Sequence, residues 1–430
     1  MTQIQDIRAR EILDNRLEPT LRVTVETAAG CATADVPAGR SRGEHEAVEV
    51  RDRDDRYSGL GVRRAVATVE EQIAPQLRGR SVFEQRLLDE LLVEMDGTET
   101  KSTLGGNTIT GVSLACLKAG ATAASQPLYR YIGGATTSTL PIPFFDMIEG
   151  GELSGSALPF QEHQVVPIGA ESVSEAVRLA AEVYYELGDL VAAEYGEASL
   201  NVGDEGGYNP IGLTDPRDAF DLELRAIEQL GYQNAFALAA DVAASQFYDP
   251  DTDRYAMMGT TMTRDDLLEF YEDLVDSYPI ISLEDPLHEN DFEGFAELTD
   301  RLDTQIIGDD LFVTNPDRIH NGIARGAGNA LLLKVNQIGT VTEACDAAQL
   351  AARNGYSIQV SERSGQTADT WLADLAVGLD AGQIKTGVTR SERTEQYNRL
   401  FEIEANLGQA GTYGAGSSKN QPFGSAGETL

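Results

Sequence analysis

Six short apolar runs in the second half of the chain each end in a charged residue, and this pattern restricts the fold more than any other feature. Phe236–Ala240 runs into Asp241, Ile280–Leu283 into Glu284, and Ile306–Gly308 into Asp309. Leu331–Leu333 runs into Lys334, Ser357–Ser361 into Glu362 and Arg363, and Ile384 into Lys385. Successive charged ends are 43, 25, 25, 28 and 23 residues apart, so each interval after the first is one strand, one helix and two short loops. Apolar positions three to four apart predict helices between the runs, at about 171–195, 216–230, 264–277, 292–302, 316–326, 340–354 and 367–380. Alternating strands and helices predict a parallel sheet, open or closed into a β/α barrel. In a barrel the carboxyl ends of the strands share one mouth, where the six charged ends would meet.

The first third reads differently. Residues 3–50 predict short strands, with Leu21–Thr27 alternating at period two. Val62, Val66, Val69, Ile73 and Leu77 predict a helix, Phe83–Met95 repeats the pattern, and a third helix follows at about 107–126. The loop-like Gly133–Thr139 then marks a boundary. The expected division is an N-terminal α+β domain over 1–138, a barrel over 139–407 and a flexible Gly/Ser-rich tail over 408–430. A chain of 430 residues with 41% hydrophobic content can bury two such cores.

The net charge of −37 argues against phosphate-mediated binding of nucleic acid and against an anionic membrane surface. Cys31, Cys116 and Cys345 have no metal or redox spacing and read as reduced, buried thiols. The start has no signal-peptide core, and no run of about 18 apolar residues occurs. The expectation is a soluble cytoplasmic protein.

Taken singly, an Asp or Glu ending a strand is ordinarily a turn or helix-cap residue. Six charged ends in phase, two of them drawn from only 5 lysines beside 28 arginines, describe a shared site. Three carboxylates beside two lysines make a divalent-metal site next to a base. Oxygen donors alone suit Mg²⁺ or Mn²⁺, because Zn²⁺ ordinarily brings His or Cys. None of His45, His163, His288 and His320 ends a strand, so the base is a lysine or a carboxylate. A lysine base needs its pKa lowered, which an adjacent metal ion can do.

Longer motifs carry a resemblance. Ala9–Asp14 (AREILD), Ser199–Gly207 with its closing Gly-Asp-Glu-Gly-Gly, Ser282–Pro286 (SLEDP), Gly308–Pro316, Leu332–Thr340 (LLKVNQIGT) and Gln383–Gly387 (QIKTG) are similar to the enolases. The likeness runs from about residue 5 to 406. It implies a modified (β/α)8 TIM-type barrel that starts ββαα, a smaller N-terminal α+β domain and a homodimer. It also implies a Mg²⁺-dependent carbon–oxygen hydro-lyase with two Mg²⁺ sites and a small phosphorylated three-carbon acid as substrate. By position, Asp241, Glu284 and Asp309 match the ligands of the first Mg²⁺, and Ser41 a loop ligand of the second. Lys334 matches the base that removes the proton α to the substrate carboxylate, and Glu205 the acid that assists the leaving hydroxyl. Glu162 matches the neighbour of that acid and Gln161 a substrate-binding amide. Arg363 and Ser364 match phosphate ligands, and Lys385 a carboxylate contact. The logic is electrostatic: cations stabilise the dianion left when the α proton departs, and a protonated acid is needed for hydroxide to leave. Glu205 must therefore hold a proton, which a like charge on Glu162 favours.

Several positions depart from the family pattern. A loop histidine is replaced by Leu153 and the preceding Asn by Glu149; a second active-site histidine is replaced by Glu362. The mobile loop gains Arg40 and Arg42, and the early Ser-Arg-Gly-Asn-Pro becomes Asn15–Pro19. The lost histidines fall at the phosphate and leaving-group end, where Glu362 beside a phosphate dianion would cost roughly 4 kcal/mol at an effective dielectric near 20. Neutralisation of Glu362 by Arg363, or extra charge from Arg40 and Arg42 for a larger anion, would relieve this. The departures favour a specialised paralogue acting on 2-phosphoglycerate or a close phosphorus-bearing analogue. The alternatives are a carboxyphosphonoenolpyruvate synthase of phosphinate or phosphonate antibiotic biosynthesis, or a housekeeping glycolytic enolase. A non-catalytic scaffold would not need the buried charge cluster. A sugar-acid dehydratase would not need Arg363 and Ser364.

Overall fold

The computed structural model describes residues 1–40 and 42–414. Three antiparallel strands, β1 (Ile4–Leu13), β2 (Pro19–Thr27) and β3 (Gly30–Asp35), form the N-terminal sheet. Helix α1 (Gln85–Asp96) and the almost wholly buried α2 (Gly106–Ala123) belong to this part of the chain. At Gly111 a Cβ would lie 2.7 Å from Val23, so glycine lets α2 approach the sheet closely. The periodic stretch expected as a helix from Val62 is helical without a gap over Arg63–Leu77, with a π-helical turn at Thr68–Ile73 between two α-helical pieces. Pro75 in the last of these pieces has no N–H to continue an α-helical ladder.

Eight strands then close into a barrel. In chain order they are β4 (Ile142–Glu149), β5 (Glu162–Val166), β6 (Ala237–Asp241), β7 (Ile280–Glu284), β8 (Gln305–Gly308), β9 (Ala330–Leu333), β10 (Ser357–Ser361) and β11 (Gly382–Lys385). Strand β5 runs antiparallel to both neighbours and the rest pair in parallel. Two helices, α3 (Val173–Tyr195) and α4 (Pro216–Gln229), separate β5 from β6, which is the ββαα start expected above. Later helices alternate with strands: α5 (Arg264–Ser277), α6 (Phe292–Arg301), α7 (Pro316–Arg325), α8 (Val341–Arg353) and α9 (Trp371–Gly378). Their starts follow local chemistry. Thr263 and Asp266 form a reciprocal capping box, while Asn315 and Thr340 accept from the first turns of α7 and α8.

Strands such as Ala330–Leu333 are buried along their whole length, because helices cover one face and side chains fill the other. The filling is partly polar. Gln305 and Gln383 exchange amide hydrogen bonds at 2.9 and 2.8 Å, and Gln359 donates to Gln383 at 3.3 Å. β4 (IPFFDMIE) is itself an apolar run ending in a charge, Glu149, and is missing from the six runs read above, whereas β5 (EHQVV) carries little apolar signature because Glu162 and Gln164 are buried polar positions. Helix α10 (Ser391–Leu407) was hidden for the same reason, since its buried face includes Arg393 and Gln396.

Part of the expected loose tail is ordered. Thr412–Tyr413 pairs with Thr139–Leu140, and the Tyr413 hydroxyl donates to Pro167 O at 3.1 Å; residues 415–430 lie outside the described residues. Of the cysteines expected to be buried, Cys116 is, Cys345 is partly, and Cys31 is exposed at the edge strand β3. Among the described residues no helix is long and apolar enough to cross a membrane.

Polar latches join the N-terminal sheet and helices to the barrel. The Arg16 guanidinium lies against Asp14 and Glu18 at 3.0 Å each and donates to Ser364 Oγ at 3.2 Å. Lys118 pairs with Asp369 at 2.7 Å. Buried Asp89 of α1 accepts from the Thr342 N–H and hydroxyl of α8, at 3.0 and 2.6 Å, and from Gln85. Removing it strands those donors. Asp89→Ala is therefore expected to cost about 1–3 kcal/mol in urea unfolding, with Asp89→Asn costing less because it keeps an acceptor. Equal stability of Asp89→Ala and the unaltered protein would show that this latch contributes nothing.

Candidate active site

The barrel register brings the strand-end charges to one mouth. Glu284 of β7 is the register partner of Asp241 of β6, and Glu162 of β5 pairs with Asp241 from the other side. The Lys385 ammonium sits among all three, 2.7 Å from Glu284 and 3.1 Å from both Asp241 and Glu162. Lys334, just beyond β9, pairs with Asp309 at 2.5 Å, and the other Asp309 oxygen accepts from Gln337 at 2.7 Å. Gln161 donates to Asp241 at 3.0 Å and accepts from Gln246 at 2.6 Å, which fixes its amide orientation.

These groups are deeply buried, and their protonation follows from that. Burial and the neighbouring Asp241 push the Glu284 carboxyl well above its usual range; burial also raises Asp241 against the pull of Lys385. At Asp309 burial is outweighed by Lys334, and the carboxyl lies below its ordinary value. Burial disfavours the Lys334 ammonium, but the surrounding carboxylates, Asp309 first and Glu284 among them, leave the pKa raised. The lowering that a lysine base needs is therefore not supplied by the protein groups around it; positive charge among the carboxylates acts in that direction.

The donor set fits a hard cation. All candidate donors are oxygens, and Glu284 Oε1 is buried with no hydrogen-bond partner. His163 is buried between Phe160 and Phe220, 5.8 and 4.9 Å away by ring centroid, and burial lowers its pKa to about 3. It is a core residue. Ser41 lies outside the described residues.

A single cavity is lined by Gln161, Glu162, Glu205, Lys334, Arg363 and Lys385, together with Leu153, Glu362 and Ser364. Arg363 is buried and pairs with Glu46 at 2.8 Å, and Ser364 Oγ accepts from the Arg40 N–H at 2.8 Å. The two added loop arginines are engaged within the chain: Arg40 pairs with Asp204 at 2.8 Å and Arg42 with Glu49 at 2.9 Å. They are not the free charge for a larger anion that the sequence suggested.

Glu362 is neutralised, though not by Arg363. Its partner is Arg393, a fully buried guanidinium from α10 that also donates to Arg363 O and Ser364 O, at 2.8 Å each. Burial pushes the Glu362 carboxyl up and Arg393 draws it back. Burial would lower Arg393, but Glu362 and Glu205 hold it above its ordinary value. An oxygen of Glu362, one of Glu205 and one of Asp146 lie within 4.8 Å of one another. Burial and the charges of Glu162 and Glu205 raise Asp146 well above its usual range. The expected metal trio is not grouped in this way among the described residues, because the lysine ammoniums lie between its members. Asp285, Asp309 and Asp310 form the other such acidic group.

Sequence reasoning missed three contributors. Asp146 is a lone acid inside the apolar strand IPFFDMIE. Arg393 lies on a helix whose inward face is charged. Glu46, in a loop of the N-terminal part, reaches Arg363 across 317 positions of chain. The only available signal for Arg393 was Glu362 itself, a carboxylate replacing a histidine and needing a cation.

Comparison with known proteins agrees with the geometry. Residues 4–132 match the N-terminal domain of enolase and residues 137–422 its C-terminal TIM barrel domain. A protein of Methanopyrus kandleri named Enolase is 54% identical over 420 residues, covering 96% of this chain and 98% of its own. Proteins of the same name from Methanocaldococcus jannaschii and Pyrococcus furiosus are each 50% identical. The first covers 94% of this chain and 96% of its own, the second 96% of both. With its barrel opened ββαα, its strand-end carboxylates and lysines, and this similarity over nearly its full length, the chain belongs to the enolase family and is an enolase-type lyase.

Proposed function

We propose that the protein is a housekeeping enolase that interconverts 2-phosphoglycerate and phosphoenolpyruvate. The observation that carries the reading is the single cavity lined by both Lys334 and Glu205, together with Arg363, Ser364 and Lys385. Neutral Lys334 takes the proton from C2. The electron pair forms the C2–C3 double bond, and hydroxide leaves C3 as water with the proton of Glu205. Arg363 and Ser364 bind the phosphate, while Lys385 and Gln161 orient the carboxylate end. Mg²⁺ held by Asp241, Glu284 and Asp309, with a second ion near Ser41, would supply positive charge to the substrate carboxylate. Homodimer formation belongs to this reading and is supported by family membership alone.

The specialised-paralogue reading rested on Leu153, Glu362 and the loop arginines. Its charge argument loses force once Glu362 is paired with Arg393 and the arginines with Asp204 and Glu49. Nothing supports a role in antibiotic biosynthesis, and the relatives at 50–54% identity are named Enolase.

The expected result is turnover of 2-phosphoglycerate that requires Mg²⁺. Lys334→Ala should abolish deuterium exchange at C2 together with turnover, with a loss of about 10²–10⁴-fold. Glu205→Gln should keep exchange and block product. Loss of exchange in Glu205→Gln would remove the acid role from that residue. Absence of any 2-phosphoglycerate turnover in the unaltered protein would end the housekeeping reading.

A second expectation concerns the replaced histidine. Restoring it with Glu362→His leaves Arg393 buried without its carboxylate, at a cost of about 3–5 kcal/mol. The variant should be less stable and less active than the unaltered protein, and Glu362→His with Arg393→Met should recover part of the stability. A rise in kcat/KM for 2-phosphoglycerate in Glu362→His alone would favour the specialised reading instead.

A further inference from the structure

We propose that Glu149 is a positioning residue for Glu205, holding the loop that presents the proton donor; this rests on the acid role given to Glu205 above. Glu149 ends β4 and is buried beside its register partner Glu162. Its Oε1 accepts from the backbone N–H of Glu205 at 3.2 Å and of Gly207 at 2.5 Å, and Oε2 from Glu205 at 3.3 Å.

The loop is folded around that carboxylate. A Cβ at Gly203 would fall 2.0 Å from Glu149 Oε2, and one at Gly207 would fall 2.4 Å from Asp146 O and 3.1 Å from Glu149 Cγ. Gly206 adopts φ of 98°, which glycine allows. The two glycines flanking Asp204–Gly206 are thus small where the Glu149 side chain passes.

Most of the loop's other tethers grip carbonyls. Tyr184 and Thr389 donate to Gly206 O at 2.9 and 2.8 Å, Val388 to Glu205 O at 3.1 Å, and Arg390 to Gly203 O at 2.7 Å. Asp204 is held apart from these, its N–H donating to Leu153 O at 3.3 Å and its carboxylate pairing with Arg40. Glu149 alone among these partners accepts from the amides at 205 and 207. Without it, two N–H groups beside the donor lose their acceptors, and the segment carrying Glu205 relaxes toward other partners. Among the described residues, Lys334, Asp309, Asp241 and Glu284 take their hydrogen bonds and ion pairs elsewhere, so proton abstraction has no such dependence.

The test measures deuterium exchange at C2 and phosphoenolpyruvate formation in the same preparations, for Glu149→Ala, Glu149→Gln, Gly203→Ala and the double variant Gly203→Ala with Glu149→Ala. Glu149→Ala should keep exchange while turnover falls about 10²-fold, the scale of a small misplacement of a catalytic group. Glu149→Gln retains an acceptor oxygen and should stay within about tenfold of the unaltered protein. Gly203→Ala should resemble Glu149→Ala, because its Cβ displaces the carboxylate. The double variant should be no worse than Glu149→Ala, since both changes break the same contact. A common fall of exchange and turnover in Glu149→Ala, unchanged turnover in that variant, or losses that multiply in the double variant would each overturn the proposal. An unaltered protein that exchanges no C2 proton would instead overturn the function proposed above.

Discussion

Everything at the barrel mouth depends on one constraint, the burial of many carboxylates in a small volume. Asp146, Glu149, Glu162, Glu205, Asp241, Glu284, Asp309 and Glu362 are all at most 8% exposed. Ionised and uncompensated, such a group would not stay out of water. The chain compensates it in three ways. Lys385, Lys334 and Arg393 are buried as counter-ions, backbone amides point at Glu149 and at Asp285, and burial drives part of the set to hold protons. Oxygens of Asp146, Glu205 and Glu362 lie within 4.8 Å of one another, and Glu205, Glu362 and Lys334 line one cavity.

The departures from the family pattern are best read as coupled changes within that balance. Exchanging a histidine for Glu362 would, in isolation, place an anion where a phosphate is bound. Arg393 turns the same exchange into a buried ion pair whose guanidinium also gathers Arg363 O and Ser364 O, so it braces the backbone at these two residues. Glu149 in place of an asparagine is likewise matched, by glycine at 203 and 207 and by the amides it receives. Each substitution looks disruptive in the one-dimensional pattern and is satisfied in three dimensions. Leu153 has no such explanation; it lines the cavity with an apolar wall.

This also explains what was legible in the sequence. The regular half of the barrel announced itself because its strands are buried on both faces and their ends carry the only charges in apolar surroundings. The run Ser357–Ser361 coincides with its strand, the strands Gln305–Gly308 and Ala330–Leu333 start one residue before their runs, and the others differ by a residue or so at an end. The second barrel strand and α10 stayed hidden because part of their buried face is polar, so burial and hydrophobicity part company there; the first, IPFFDMIE, is an apolar run ending in Glu149 that is missing from the six. Pairings were illegible for another reason. Glu362 sits one residue from Arg363 in the chain, yet their partners are Arg393 and Glu46, reached from α10 and from an N-terminal loop. Neighbourhood in sequence says little about which buried charges meet.

The scarcity of lysine has a structural counterpart. The four lysines among the described residues all pair with carboxylates, and none is a free surface charge. Lys101 meets Glu343 at 2.6 Å and Lys118 meets Asp369 at 2.7 Å, both joining the N-terminal part to the barrel; Lys334 and Lys385 stand in the cavity. Arginine does most of the surface pairing, as in Arg86–Asp346 and Arg178–Glu175. The division follows from the two side chains. A guanidinium cannot be deprotonated under ordinary conditions and suits bidentate pairs. An ammonium is a compact charge whose proton can be given up when its surroundings change, and that property is needed only at Lys334. Lys385, held among three carboxylates that raise its pKa, keeps its charge and acts as a fixed cation. Lys334 pairs with one carboxylate and Lys385 with three, and both ammoniums are raised by their surroundings, so the base role proposed for Lys334 depends on positive charge added beside it.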